Sequence, residues 1–336
     1  MTVTDRFDYP LSAAAVAQTP VEPRDAARLL VSLDPTAPPA HRHVRDLPDL
    51  LGPGDLLVVN ETRVLPARLH LRKATGGAVE VLLLEPVGSA RWEALVRPGA
   101  RVRPGTTLVA EDGTPVVEVG DRASDGRRQV TLLTDPFGYG SVPLPPYITA
   151  PLADPDRYQT VYAARPGSVA APTAGLHLTD DILRRCRTAT VELVVGLDTF
   201  RPITAERVED HVMHSERYSV PEETMAACAA AERVVAVGTT TVRALESAAA
   251  TGELEGRTSL FIRGDYDFRV VDALLTNFHL PRSSLLVLLD AFVGPWWRDL
   301  YETALAEDYR FLSFGDAMLV GRMSRGVATC GRRPAP

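Results

Sequence analysis

Between Ala67 and Ser141 the chain changes texture, and this change limits its possible folds more than any other feature of the 336 residues. Short runs rich in valine and leucine, at 78–84, 92–96, 106–110, 115–119 and 129–133, alternate with breaks. The breaks are Gly76-Gly77, Pro98-Gly99, Pro104-Gly105, Asp112-Gly113 and Asp125-Gly126. Evenly spaced short strands with turn signals and no helical period predict an all-β, barrel-like module. Segments on both sides alternate strands with helices, so the module reads as an insertion. The expected organisation is a discontinuous α/β catalytic domain at 1–66 and 142–322, an inserted barrel-like domain at 67–141, and a frayed tail at 323–336.

The flanking pattern has its own logic. Apolar runs at 28–33, 56–60, 191–195, 233–237, 260–262, 273–275 and 317–320 read as strands, the last closing the sheet. Helices are expected from Thr179 onward, where Asp180 and Asp181 suit a positive helix end, and at 221–232, 241–250, 284–292 and 298–306. Such alternation predicts an α/β domain with a largely parallel sheet. The longest unbroken apolar stretch, 225–231, is far short of the roughly 20 residues that span a membrane. The first residues lack a hydrophobic leader, and Cys186, Cys228 and Cys330 are scattered. Those features predict a cytoplasmic protein without a disulfide framework or zinc spacing.

Net charge is −7, which argues against a chain that coats polyanions uniformly. From Glu61 to Gly105, however, eight cations (Arg63, Arg68, Arg72, Lys73, Arg91, Arg97, Arg101, Arg103) face four acids. That local surplus suits phosphate binding.

Five segments carry candidate chemistry. The strand at 56–60 ends in Asn60, Glu61, Thr62 and Arg63, where open sheets build sites. Tyr162 precedes a small-residue run containing Pro172, Thr173, Ala174, Gly175 and His177, which either lets backbone approach a ligand or forms a tight buried turn. His211 and His214 are three apart, adjacent if helical, but no third metal ligand follows. A His214–Glu216 relay is better motivated, because a carboxylate favours a charged imidazole; two capping surface histidines are the alternative. Gly238, Thr239 and Thr240 form an anion or ribose cradle, or simply a helix cap, and lack the pattern of a phosphate loop. Finally, Asn277 and His279 end a strand before a helix. Phe311 and Phe314 read as core, and Asp316 as a turn residue.

Several blocks together resemble one family. They are Phe7-Asp8-Tyr9, Asn60-Glu61-Thr62-Arg63-Val64, Pro145-Pro146-Tyr147-Ile148, Tyr158-Gln159-Thr160-Val161-Tyr162, Pro172-Thr173-Ala174-Gly175-Leu176-His177, Val237-Gly238-Thr239-Thr240, Thr276-Asn277-Phe278-His279-Leu280-Pro281 and Tyr309-Arg310-Phe311. In order, from about residue 5 to 322, these resemble the S-adenosylmethionine:tRNA ribosyltransferase-isomerases of queuosine biosynthesis. The resemblance implies transfer and rearrangement of the ribosyl part of S-adenosylmethionine onto the aminomethyl group of a 7-deazaguanine in tRNA. Adenine and methionine leave, and an epoxycyclopentane stays on the base, as epoxyqueuosine. S-adenosylmethionine is then a cosubstrate, and no metal or redox cofactor is implied. His177, His279 and the His214–Glu216 pair become candidates for proton transfer. Asn60, Arg63, Tyr162, Pro172, Thr173 and Ala174 become candidate substrate contacts, together with Gly175, Asp198, Gly238, Thr239, Thr240 and Asn277.

The chain departs from the family pattern in places. Leu193-Val194-Val195-Gly196-Leu197-Asp198-Thr199-Phe200 stands where Leu-His-Val-Gly-x-Gly-Thr-Phe is usual, so an imidazole is lost and a carboxylate gained. Tyr147-Ile148-Thr149-Ala150 lacks the family's arginine. These changes keep two alternatives open: a small-molecule acceptor in specialised metabolism, and a non-catalytic RNA-binding relative.

Overall fold

The computed structural model describes residues 2–123, 126–196 and 202–323. Eighteen strands are named here in chain order. β1 (Arg28–Ser32), β2 (Ala40–His43), β3 (Asp55–Asn60) and β4 (Thr62–Val64) precede the barrel. Then come β5 (Arg68–Lys73), β6 (Ala78–Pro86), β7 (Arg91–Arg97), β8 (Thr106–Val109), β9 (Pro115–Arg122) and β10 (Arg128–Leu132). β11 (Gly140–Ser141), β12 (Arg165–Ser168), β13 (Thr188–Leu193), β14 (Glu216–Ser219) and β15 (Arg233–Val237) follow. β16 (Glu255–Thr258), β17 (Ala273–Asn277) and β18 (Ala317–Gly321) complete the series. The helices are α1 (Leu47–Leu50), α2 (Asp180–Arg185), α3 (Glu222–Ala230), α4 (Thr239–Thr251), α5 (Ser284–Val293) and α6 (Trp297–Ala306).

Nine strands form one sheet in the order β16-β14-β13-β3-β15-β17-β18-β1-β2. Its centre, β13-β3-β15-β17, is parallel. Toward the edges the sheet turns mixed, because β17 meets β18 antiparallel and β14 meets both neighbours antiparallel. β18 therefore does not close the sheet as the sequence suggested; it lies between β17 and β1. All six residues of β3 are buried. Leu56 and Val58 join the core packed by α4, α5 and α6, while Leu57 and Val59 face the core containing Leu47 and Ile182. A strand covered on both faces needs an unbroken apolar run, which this one has.

The inserted segment closes on itself. β5 to β10 pair antiparallel in the ring β5-β6-β7-β10-β9-β8, and β8 returns to β5 through Arg72 opposite Val109. Inward residues such as Leu69, Leu71, Val81, Ala94 and Val119 alternate with polar outward ones and fill the interior. Arg128 is the buried exception, donating to the carbonyls of Gly99, Val102 and Gly120.

Two local expectations fail for visible reasons. Residues 260–262 are not a strand: the Leu260 carbonyl accepts from Arg243 Nε at 3.1 Å and its N–H donates to Thr258 Oγ1 at 3.1 Å, leaving no ladder partner. The helix α4 begins earlier than expected and its threonines do not cap it. Gly238, at φ +83°, is the N-cap, and Thr241 Oγ1 bonds back to the Val237 carbonyl instead.

Candidate active site

The site grows from the carboxyl ends of the parallel strands, where open α/β sheets leave a crevice. β15 ends at Val237 before Gly238, β17 ends at Asn277, and the loop after β12 supplies residues 171–174. Together they border a narrow cleft, with a cavity volume of about 50 Å³, lined by Pro172, Thr173, Ala174, Gly238, Thr239, Thr240, Asn277 and His279. Tyr147, Thr276, Ser283 and Ser313, none of them among the candidate substrate contacts, add polar groups to the lining. Among the described residues, no arginine or lysine lines this cleft.

Behind its wall runs a fixed relay. Thr173 Oγ1 donates to Asn277 Oδ1 at 2.9 Å, and Asn277 Nδ2 faces His177 Nε2 at 3.1 Å and the Asp316 carbonyl at 3.4 Å. The carbonyl and the threonine hydroxyl set the amide orientation, so His177 Nε2 accepts and the ring proton resides on Nδ1. Burial, reinforced by the charges of Arg310, Arg157 and Arg24, pushes His177 down to about 3. His177 thus stays neutral, in the layer behind Asn277, and does not line the cleft. His279 does line it. Burial pushes His279 down to about 3 as well, and its Nε2 pairs with Thr276 Oγ1 at 3.0 Å. Its backbone is clamped from both sides: the N–H donates to Tyr301 Oη at 2.8 Å, and its carbonyl accepts from the Tyr9 hydroxyl. The Phe7-Asp8-Tyr9 block therefore reaches the site through a main-chain contact.

A second, larger cleft shares Val195 with the first and carries the His214–Glu216 pair. Leu84, Glu85, Leu95 and Arg127 of the barrel form one wall; His211, His214, Glu216 and Arg217 line the other. His211 and His214 are not on a helix, since the short 3-10 turn ends at Asp210 and extended chain follows. His214 Nε2 lies 3.1 Å from Glu216 Oε1. The partner missed from sequence is Arg243, which pairs with Glu216 while 4% and 3% of the two side chains are exposed. Burial acts to raise the Glu216 pKa, but His214, the Arg243 charge and the Gly196 N–H outweigh it and hold the carboxyl below its usual range.

Other candidates serve as scaffold. Asn60 is buried and satisfied, accepting from Leu193 N at 3.0 Å and Thr62 N at 3.2 Å while donating to the Leu193 carbonyl and Thr240 Oγ1. It locks β13 beside β3 and steadies one cleft threonine. Gly175 is obligatory, because a Cβ there would lie 1.8 Å from the Tyr162 hydroxyl oxygen. Tyr162 and Gly175 thus pack against each other outside either cleft lining. Arg63 is exposed on β4, and Asp198 lies outside the described residues. Among the described residues, no group of three or more histidine, cysteine, aspartate or glutamate side chains is disposed to hold a metal ion, and no helix is long and apolar enough to cross a membrane.

A large mixed sheet flanked by helices, with a closed barrel walling one of two clefts at its carboxyl edge, defines an α/β protein with a ligand site at the sheet edge. The family model described as queuosine biosynthesis protein matches residues 4–320. The chain is 52% identical over 328 residues to a relative from Rubrobacter xylanophilus, covering 94% of this chain and 97% of that one. A relative from Nostoc sp. is 45% identical over 368 residues, with 96% and 92% covered. Both are named S-adenosylmethionine:tRNA ribosyltransferase-isomerase. The crystal structure of the S-adenosylmethionine tRNA ribosyltransferase from Thermotoga maritima superposes with a TM-score of 0.54 at 37% identity, covering 94% of this chain and 99% of that one. The chain belongs to the queuosine biosynthesis protein family.

Proposed function

We propose that this chain is an S-adenosylmethionine:tRNA ribosyltransferase-isomerase, whose cosubstrate occupies the smaller cleft and whose acceptor base enters the larger one. The observation that carries this division is the seam at Val195, common to both clefts. On one side stand neutral hydroxyl and amide groups suited to a nucleoside; on the other stands an ionised carboxylate beside an imidazole. A sulfonium carries positive charge, and a cleft with no arginine or lysine among its described residues avoids repelling it.

The roles follow from position. Thr173 and Asn277, with Thr239 and Thr240, hold the cosubstrate, and His177 keeps the Asn277 amide turned so that Thr173 stays aimed. His177 is therefore a positioning residue and not a proton carrier. His214 takes the proton beside the sulfonium, with Glu216 holding the ring and balancing the charge it gains. Arg243 keeps that carboxylate ionised and fixed. His279, neutral and clamped by its backbone, donates or accepts hydrogen bonds within the smaller cleft. The barrel at 67–141 is an inserted domain that walls the acceptor side and helps to exclude water from reactive intermediates.

Incubation with S-adenosylmethionine and tRNA bearing the unreacted aminomethyl-deazaguanine should release adenine and methionine in equal amounts. Release only with the free base, and none with tRNA, would replace this reading with the small-molecule one.

A further inference from the structure

Beside the larger cleft, exposed arginines without acid partners gather on the barrel. On the α/β side of this cleft, Arg243 pairs with Glu216, Arg257 with Glu85 and Arg165 with Glu61, and Arg217 approaches Glu192 at 3.9 Å. On the barrel, Arg68 and Arg127 are paired with Glu80 and Glu93. Arg72, Arg97, Arg101 and Arg103 are all exposed, and among the described residues none has an acid within ion-pair distance.

These free cations are close together. β5 ends at Lys73 and β7 at Arg97, each beside the start of β6, and Lys73 Nζ donates to the Arg101 carbonyl at 3.2 Å. Arg101 and Arg103 lie in the turn that follows β7. The patch also joins the cleft directly. Leu95 lines the larger cleft, and Arg97 is the next residue on the same outward face of β7, about 7 Å further along.

We infer that the outer face of the barrel from Arg97 to Arg103, flanked by Arg72 and Lys73, is a track for the phosphate backbone of the RNA whose base enters the larger cleft. This rests on the ribosyltransferase-isomerase reading and adds where the nucleic acid lies. A base reaching the seam leaves its flanking sugar-phosphate chain at the cleft mouth, and Leu95 marks where that mouth meets the cations. Guanidinium groups suit phosphate oxygens geometrically. A localised surplus also explains how a chain of net charge −7 binds a polyanion.

The test replaces Arg97, Arg101 and Arg103 together with glutamine, with Arg184→Gln on α2 as a control for charge alone. Binding of tRNA is measured against salt concentration, and steady-state turnover against tRNA concentration. The slope of log affinity against log salt should fall in magnitude by about 2 to 3, since each lost phosphate contact removes somewhat under one unit. KM for tRNA should rise about tenfold or more, kcat at saturating tRNA should be unchanged, and KM for S-adenosylmethionine should not move. The control should match the unaltered chain. A triple variant that keeps both the salt slope and KM would overturn the track, as would one that loses kcat while keeping KM. Absence of adenine release from the unaltered chain would instead sink the functional reading, and the binding measurement would still report on the surface.

Discussion

Two imidazoles, His177 and His279, are uncharged in the folded protein because burial holds both near 3. In the unfolded chain each titrates near the ordinary 6.5. The unfolded state thus binds more protons between those limits, and stability is fully present above 6.5 and falls as pH drops toward 3. Each histidine contributes a slope of at most about 1.4 kcal/mol per pH unit in that window. His177→Gln keeps an acceptor for the Asn277 amide but removes one titration. Unfolding free energy measured between pH 7 and 5 should therefore decline less steeply in this variant than in the unaltered chain. Equal slopes would mean that His177 takes up a proton while folded. Glu216 acts in the same sense at lower pH: its depressed pKa contributes stability that is lost as pH falls below the ordinary carboxylate range.

Among the elements, β3 bears most directly on both layers, since its side chains enter the cores on the two faces of the sheet. Leu57 is fully buried, whereas Leu133, just past the last barrel strand, is 46% exposed. Leu57→Ala should lower unfolding free energy by about 2–5 kcal/mol, and Leu133→Ala should stay within about 0.5 kcal/mol. Denaturant unfolding checks both, and equal costs would contradict a sheet buried on two faces. This strand was legible in the sequence for the same physical reason: four consecutive apolar residues, Leu56 to Val59, leave no polar side to present to water. The barrel was legible through its turns, and the start of α2 through Thr179, which accepts from Ile182 N at 3.4 Å. Sheet order was not, because pairing β17 with β18 joins segments about 40 residues apart that no local period records. The three-residue spacing of His211 and His214 suggested a helical face, yet that spacing is shared by extended chain. Placement of His177 behind Asn277, and of Arg243 beneath Glu216, depends on contacts 100 and 27 residues apart in sequence. Side-chain type announced His177 and Glu216 but not Arg243; only the fold decided which group lines a cleft and which lies behind it.

For the whole molecule, the sheet supplies two clefts at one edge and the barrel supplies a wall and a charged outer face. Arg257 ties the two parts together, bonding Glu85 at 3.0 Å and the Ser215 carbonyl at 3.0 Å beside His214. The proposed reaction uses both sides at once, since a nucleoside would be opened where an RNA base waits. A crystal structure with S-adenosylmethionine, or its uncharged sulfur analogue S-adenosylhomocysteine, tests this arrangement most directly. The adenosine should lie among Thr173, Thr239, Thr240 and Asn277, with the sulfur at Val195 and open toward His214. Electron density for the nucleoside in the larger cleft, or sulfur turned away from that imidazole, would contradict it.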